Sequence, residues 1–313
     1  MINVGIAGAL PAINRHTYML NRIHDVRIIG RWITGDHGDA AFNMESEITC
    51  SDPGTIIGRA EVMIITDKSS LSSRLATYAL KKAKHVLVYP PAISSVNEVN
   101  ALIKLAREAN VILKCGRTGS SGYSGLVKAI SDKGPVNLID FHHSIMLLQE
   151  ERQNLLFNQL LADIEIMNSL IRARNTSIRV KGHSLLSSRP EVINARLEFD
   201  NGCAVNYYCN LLALQSDHHI TIVLKDCLLK YDFNAYELSR WYLKPAFNQN
   251  ENPIFIEKIQ VEQGDNLYDD LMTFFNLIRS GPAFLSIYDN GFEPLVMTDR
   301  IHERVLKTLV QFA

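Results

Sequence analysis

The sequence predicts an α/β chain in two parts, a doubly wound parallel sheet followed by an α+β domain on a mainly antiparallel sheet. Three observations predict it. Short β-rich runs alternate with helical stretches as far as about Gly116. Strand-like runs then follow one another with no helix between them. Between two of these runs stands Asp200-Asn201-Gly202, a hairpin signal, since Asn-Gly tolerates positive φ at both turn positions. Parallel strands need long crossovers and antiparallel strands close with tight turns, so the change of rhythm marks a change of architecture.

Taken in order, residues 2–7 form an apolar strand ending at Gly8, and a helix follows to about residues 20–23. Residues 26–32 and 61–66 read as strands, 70–82 have helical spacing, and 85–88 form a strand closed by Pro90-Pro91. Over residues 97–109, Val99, Leu102, Ile103, Leu105 and Ala106 share one side of a helix, and 111–115 follow as a strand. Strands separated by helices of this length join as parallel crossovers. Beyond a glycine-serine loop at 119–122, a short helix is predicted over 126–131, a strand over 136–144 and a helix over 157–171. Strands follow at 177–184, 191–199, 204–210, 219–224 and 228–232, then helices at 268–279 and 298–312. The domains accordingly divide as 1–118 and 119–313, with the terminal helix free to pack back on the first.

Bulk properties exclude several function classes. The 313 residues suffice for two ordinary domains, and 47% hydrophobic with 21% charged residues is a soluble globular composition. A net charge of -1 gives no basic footprint for nucleic acid. No apolar run reaches the roughly 18 residues of a membrane span. Residues 2–10 are apolar but lack a basic leader, so they read as a strand and not as a signal peptide. Cys50, Cys115, Cys203, Cys209 and Cys227 are scattered, odd in number and without metal-ligand spacing. Reduced, mostly buried thiols in a cytoplasmic protein are expected.

Three phrases carry a family likeness: Ala79-Leu80 leading to Lys84-His85-Val86-Leu87-Val88 with a proline just after; Ala195-Arg196-Leu197-Glu198-Phe199-Asp200-Asn201-Gly202; and Leu267-Tyr268-Asp269-Asp270-Leu271 followed by Phe274 and Ile278. With the order of elements, they make the chain resemble the glucose–fructose oxidoreductase/inositol dehydrogenase (Gfo/Idh/MocA) family over nearly its whole length. The resemblance implies a Rossmann dinucleotide-binding domain, then a substrate and oligomerisation domain with an open sheet. It implies NAD or NADP as cofactor and a sugar- or polyol-like small molecule between the domains. It also implies a homo-oligomer paired through the second sheet, near residues 204–208 and 219–224.

Set against the residues, the family's site is largely replaced. Gly8-Ala9-Leu10-Pro11-Ala12-Ile13 keeps the first glycine of a pyrophosphate turn, but Leu10 and Ile13 stand where the second and third belong. A leucine there crowds a phosphate, and Pro11 removes a donor; the plainer reading is a strand-to-helix turn without a dinucleotide. Ile33 falls where an acid would hold the adenosine ribose, Asp36 lies slightly later, and Arg31 would suit a 2′-phosphate or an edge salt bridge. Thr66 is kept, Asp67 replaces a proline, and Ser72 falls near an expected histidine. The family's catalytic lysine position carries Pro90, in Val88-Tyr89-Pro90-Pro91. Tyr89 is then either a weak acid, as the Tyr-Pro phrase of the distantly related biliverdin reductase suggests, or a structural aromatic.

The family's Asp and His, four apart on one helix face, become Asn158 and Ala162. Asp163 and Glu165 stay near positions of common family acids, or are solvated or capping charges. His142-His143 and His218-His219 lie in strands, so the members of each pair point to opposite faces and no metal site is expected; surface or structural histidines are the plainer reading. Three functions remain open: an NAD(P)-dependent oxidoreductase, a non-catalytic relative serving as a binding, regulatory or partner subunit, and a biliverdin-reductase-like enzyme with a rebuilt site. The substitutions lean toward the second, the resemblance toward the first.

Overall fold

The computed structural model describes residues 1–34, 52–66, 71–89, 96–117, 123–131, 133–146, 155–171, 173–185, 189–243, 253–261, 266–281 and 291–310. The chain forms two compact units, Met1–Thr118 with Asp265–Val296, and Gly119–Gly264 with Met297–Ala313.

The first unit is a Rossmann-like parallel sheet. Its strands β1 (Ile2–Gly8), β2 (Val26–Ile33), β3 (Val62–Ile65), β4 (His85–Val88) and β5 (Leu113–Cys115) lie in the order β2-β1-β3-β4-β5. Helices α1 (Leu10–Leu20), α2 (Pro53–Arg59), α3 (Leu71–Lys81) and α4 (Val96–Glu108) connect them. Chain order reverses between β1 and β3, which makes the carboxyl ends of those strands the crevice where ligands of such sheets bind. Val4, Ile6, Ile13, Val62, Ile64 and Leu87 are buried together in the core.

The short helix α2 is absent from the sequence reading. Asp52 caps it, accepting from Gly54 N at 3.1 Å and Thr55 N at 2.9 Å, with Pro53 in the first turn. Its anchor is tertiary. Gly5 and Gly30 are register partners in β1 and β2, and a Cβ on either would meet Ile56 at 2.4 or 3.0 Å. Two bare backbones side by side form the track on which Ile56 packs.

The second unit holds α5 (Ser124–Ser131), β6 (Leu138–Met146), α6 (Leu155–Ile171), β7 (Asn175–His183), β8 (Val192–Phe199), β9 (Ala204–Asn210), β10 (Leu212–Val223), β11 (Leu228–Asp232), β12 (Glu237–Leu243) and β13 (Ile254–Ile259). The eight strands form one sheet in the order β13-β12-β11-β10-β6-β9-β8-β7, antiparallel except for β6 beside β9. Ile139, Phe141, Ile193, Leu197, Val205 and Ile222 on the sheet pack with Leu160, Ile164 and Met167 of α6. Strands β12 and β13 were not foreseen, and β10 begins at Leu212, with an irregularity before Asp217. The 200–202 hairpin also differs from its reading. Among its residues only Gly202 has positive φ (84°), and Phe199 N donates to Cys203 O at 2.9 Å, which is a three-residue loop with one left-handed position.

Two helices complete the chain, and they reverse the expected packing. Helix α7 (Asn266–Arg279) belongs to the first unit, where Leu267, Leu271, Phe274 and Phe275 join the core. Arg117 fixes it, donating from its backbone N to Asp270 Oδ2 at 2.8 Å and from Nε to Oδ1 at 2.6 Å. The terminal helix α8 (Glu293–Val310) buries Met297, Ile301 and Val305 in the second unit's core instead. A Cβ on Gly182 would meet Val305 Cγ1 at 2.5 Å, so β7 and α8 touch through a glycine. One cut after residue 118 therefore misses the return of 265–296.

Candidate active site

Each unit brings chemistry-bearing residues together, and the two sets differ in kind. In the first unit, the carboxyl ends of β1 and β3 are tied by Thr66, whose N donates to the Ala7 carbonyl at 2.8 Å and whose Oγ1 lies 3.3 Å from it. Beside Thr66, Gly8 ends β1 and Ala9 caps α1 in an extended conformation with no side-chain cap. The first intrahelical bond runs from Ile13 N to Ala9 O at 3.0 Å, so the amides of Leu10 and Ala12 precede it and Pro11 supplies none. Leu10 is exposed and Ile13 wholly buried. Arg31 lies within β2, in register with Ile6, and Ser72 is buried near the start of α3. Gly8, Ala9, Leu10 and Thr66 thus lie at the switch point, with Arg31 in β2 and Ser72 near the start of α3. Exposed Ile33 ends β2, and Thr34 N bonds back to Gly8 O at 2.9 Å. Asp36, Asp67 and Pro90 lie outside the described residues.

Tyr89 follows β4 and is built into the same end of the sheet. A Cβ on Gly116 would meet its ring at 2.2 Å, so only glycine leaves room for it. The ring of His16, from α1, meets it edge-on with centroids 4.8 Å apart. His16 Nδ1 donates to the Ala12 carbonyl at 2.7 Å, and burial lowers the ring to about 4, so it is neutral near pH 7. Burial, then the charge of Asp270, pushes the Tyr89 phenol well above its ordinary value. Its hydroxyl and His16 Nε2 are buried without a hydrogen-bond partner among the described residues.

In the second unit the histidines change character. Strands β6 and β10 align His143 with His218 and His142 with His219 across the ladder. On the inner face His143 and His218 stack, with centroids 3.7 Å apart and planes 7° from parallel, and Phe233 covers the other face of His218 at 4.1 Å. Asp163 of α6 reaches both rings. Its Oδ2 lies 2.8 Å from His143 Nδ1 and accepts from Tyr207 OH at 2.9 Å, and its Oδ1 lies 3.2 Å from His218 Nε2. Asp163 and Glu165 are buried, not solvated or capping charges as the sequence suggested. Burial pushes the Asp163 carboxyl up, but the charges and hydrogen bonds of His143 and His218 outweigh it and hold it below its ordinary value. Cys209 is pushed up to about 12 by burial and then by Asp163, so it stays a thiol. Asn158 and Ala162 lie one turn apart on the same helix and carry no titratable group.

The sequence held a signal for this cluster that went unused. Two His-His pairs on strands that become neighbours must meet in register or miss entirely, and an aspartate on the covering helix decides which pair is buried. On the outer face His142 stacks on Tyr208 at 4.8 Å and on His219 at 5.2 Å, and Asp217 Oδ1 lies 2.9 Å from His219 Nδ1. Cys115, Cys203 and Cys209 are buried and Cys227 is half-buried, with no disulfide among the described residues; Cys50 lies outside them. No helix is long and apolar enough to cross a membrane among the described residues.

No family profile matches the chain, and no curated protein does. Solved structures do. UDP-N-acetylglucosamine 3-dehydrogenase GnnA from Acidithiobacillus ferrooxidans superposes with a TM-score of 0.80 at 14% identity, covering 98% of each chain. A dehydrogenase (MviM) from Clostridium difficile gives 0.73 at 14% identity, covering 98% of this chain and 99% of that one. Biliverdin reductase from Synechocystis sp. PCC 6803, solved with biliverdin and NADP+, gives 0.69 at 16% identity over 98% of both. The likeness is one of fold. At such identities it carries the architecture of both units and no residue's role.

Proposed function

We propose that this chain is an NAD(P)-dependent oxidoreductase, a divergent relative of the Gfo/Idh/MocA family, acting on a sugar- or polyol-like small molecule. The observation that carries this reading is the start of α1. An uncapped helix N-terminus stands at the switch point of a parallel sheet, next to Gly8 and Thr66, where backbone amides and the helix dipole favour a pyrophosphate. The residues fit the phosphates better than the adenosine end. Gly8, Ala9 and the amides of Leu10 and Ala12 would hold the former, and no carboxylate at Ile33 would hold the ribose. A bound nicotinamide would supply hydride transfer; the chain's part is to bind it, orient it and exclude water, with Leu10 as an apolar wall at the turn. Fold likeness to dehydrogenases and to an NADP+-bound reductase supports the reading.

A non-catalytic role is favoured by Asn158 and Ala162, which remove the expected acid–base pair from α6. Titration with the oxidised and reduced forms of NAD and NADP, followed by melting temperature, separates the two readings. At a hundredfold excess over its dissociation constant a true ligand stabilises by about 2.7 kcal/mol. A shift with NADH or NADPH is expected, and no shift with any of the four forms would defeat the oxidoreductase reading. Pairing of copies through the outer face of the second sheet, where His142, Tyr208 and His219 stack, belongs to the same reading and is tested by sedimentation.

A further inference from the structure

The cluster around Asp163 is costly and the fold gives no reason for it. A carboxylate taken wholly out of water must be compensated, and aliphatic and aromatic side chains would fill the same space without that cost. Its two oxygens are treated differently. Oδ2 faces both Tyr207 OH and His143 Nδ1, whereas Oδ1 and His218 Nε2, both buried, face each other at 3.2 Å. His143 and Phe233 cover the two faces of the His218 ring. The side chain is nevertheless 18% exposed, against 9% for His143. With both faces covered and Nε2 buried, the exposed part of the side chain is neither a ring face nor the nitrogen that meets Asp163.

We propose that His218 is the acid–base group of this protein, with Asp163 as its positioning carboxylate and His143 and Phe233 as the plates that fix its ring. The inference rests on the oxidoreductase reading for the use made of the proton. In the reducing direction the Nδ1–H bond of the His218 imidazolium would break and leave its electron pair on nitrogen. The proton would bond to the ligand's carbonyl oxygen, and a bound reduced nicotinamide would supply the hydride, with its two electrons, to the carbonyl carbon. The imidazole is left neutral.

The charges around His218 suit that task. Burial lowers its basicity, the contact with Asp163 raises it, and His143 and His219 lower it again; the balance lies below the ordinary value. Two imidazoles stacked 3.7 Å apart repel one another when both are charged. From β9, Tyr207 and Cys209 face the cluster as neutral groups, because burial and Asp163 push both up. A shared metal ion is the competing use. One ligand atom each from His143, Asp163 and His218 lie within 4.8 Å of one another. A metal bonds in the plane of an imidazole at about 2.0–2.1 Å, and two nearly parallel stacked rings cannot both offer it their plane without breaking the stack on Phe233.

The full chain is treated with diethyl pyrocarbonate across the histidine pH range and mapped by peptide mass spectrometry, as wild type and as Asp163→Asn. His218 should be labelled before His143, and its titration midpoint should fall by about 1 pH unit in Asp163→Asn, where the charge that favours imidazolium is gone. Labelling of His143 first, or a midpoint unmoved in Asp163→Asn, would overturn the proposal. So would stoichiometric zinc uptake that Asp163→Asn abolishes. His218→Gln should keep the wild-type melting shift with NADPH and lose roughly 100-fold or more in turnover; turnover within a few-fold of wild type also overturns it. If the wild type shows no shift with any nicotinamide, the oxidoreductase reading falls while the labelling still judges His218.

Discussion

The turn at Gly8–Ala12 and the cluster around Asp163 solve opposite problems. The turn leaves backbone donors exposed at a helix start and supplies no charge of its own, so an anion would complete it. The cluster buries a charge among rings, and of its two histidines His218 is the more exposed. The first would derive its chemistry from backbone direction, which the side chains of Leu10 and Ile13 leave unchanged. The second derives it from four side chains on four elements, and a single change undoes it.

The largest effect should come from breaking the cluster alone. Asp163→Ala leaves the Tyr207 hydroxyl and the His143 ring without their acceptor, and should cost about 3 kcal/mol in urea denaturation. Replacing the whole group with apolar residues (His143→Phe, Asp163→Leu, Tyr207→Phe and His218→Phe together) should cost less than that single change, because no polar group is stranded. A larger loss in the fourfold variant would mean that the cluster serves folding, and the contrast with the turn would fail.

Beneath the turn, His16 should make stability fall in acid. Its folded value, about 4, lies below the unfolded 6.5, so the stabilisation is complete above pH 6.5 and is lost as the pH falls toward 4. The loss should approach about 3 kcal/mol. Denaturation midpoints of wild type and His16→Gln, compared at pH 7 and pH 4.5, should converge in acid, and parallel curves would contradict the assignment.

Smaller effects test the walls of the first site. Gly116→Ala should cost about 1–3 kcal/mol by forcing the Tyr89 ring off its seat, and most of that loss should vanish when Tyr89→Ala is already present. Leu10→Asp has the smallest expected effect on stability and the sharpest on ligand. An acid in the first turn should stabilise α1 by about 0.3–1 kcal/mol, yet abolish the melting shift with NADPH by repelling its phosphates. Equal shifts in Leu10→Asp and wild type would place the phosphates elsewhere.

Most of the first unit was legible because its signals are local. Apolar runs and helical spacing lie within a few residues of one another, and β4 and α4 fall within a residue of their predicted bounds. The exceptions have tertiary causes. Helix α2 is seven residues with two glycines and exists because Ile56 finds the paired backbones of Gly5 and Gly30. Strand β13 is exposed along nearly its whole length, so no alternation of apolar and polar residues announces it. The aliphatic spacing of α7 and α8 predicted helices and did not say which unit each would join.

The sequence alone determined the βα rhythm, the strand-rich second half and the glycine turn before α1, since each depends on neighbours along the chain. It also determined that adjacent histidines in a strand face opposite ways. Only the tertiary structure decided that His143 meets His218, 75 residues later, and that Asp163 of the helix between them in sequence lies beneath the pair. A strand's period of two fixes which side a residue faces, but its partner depends on register, and register is set by the packing of the whole sheet.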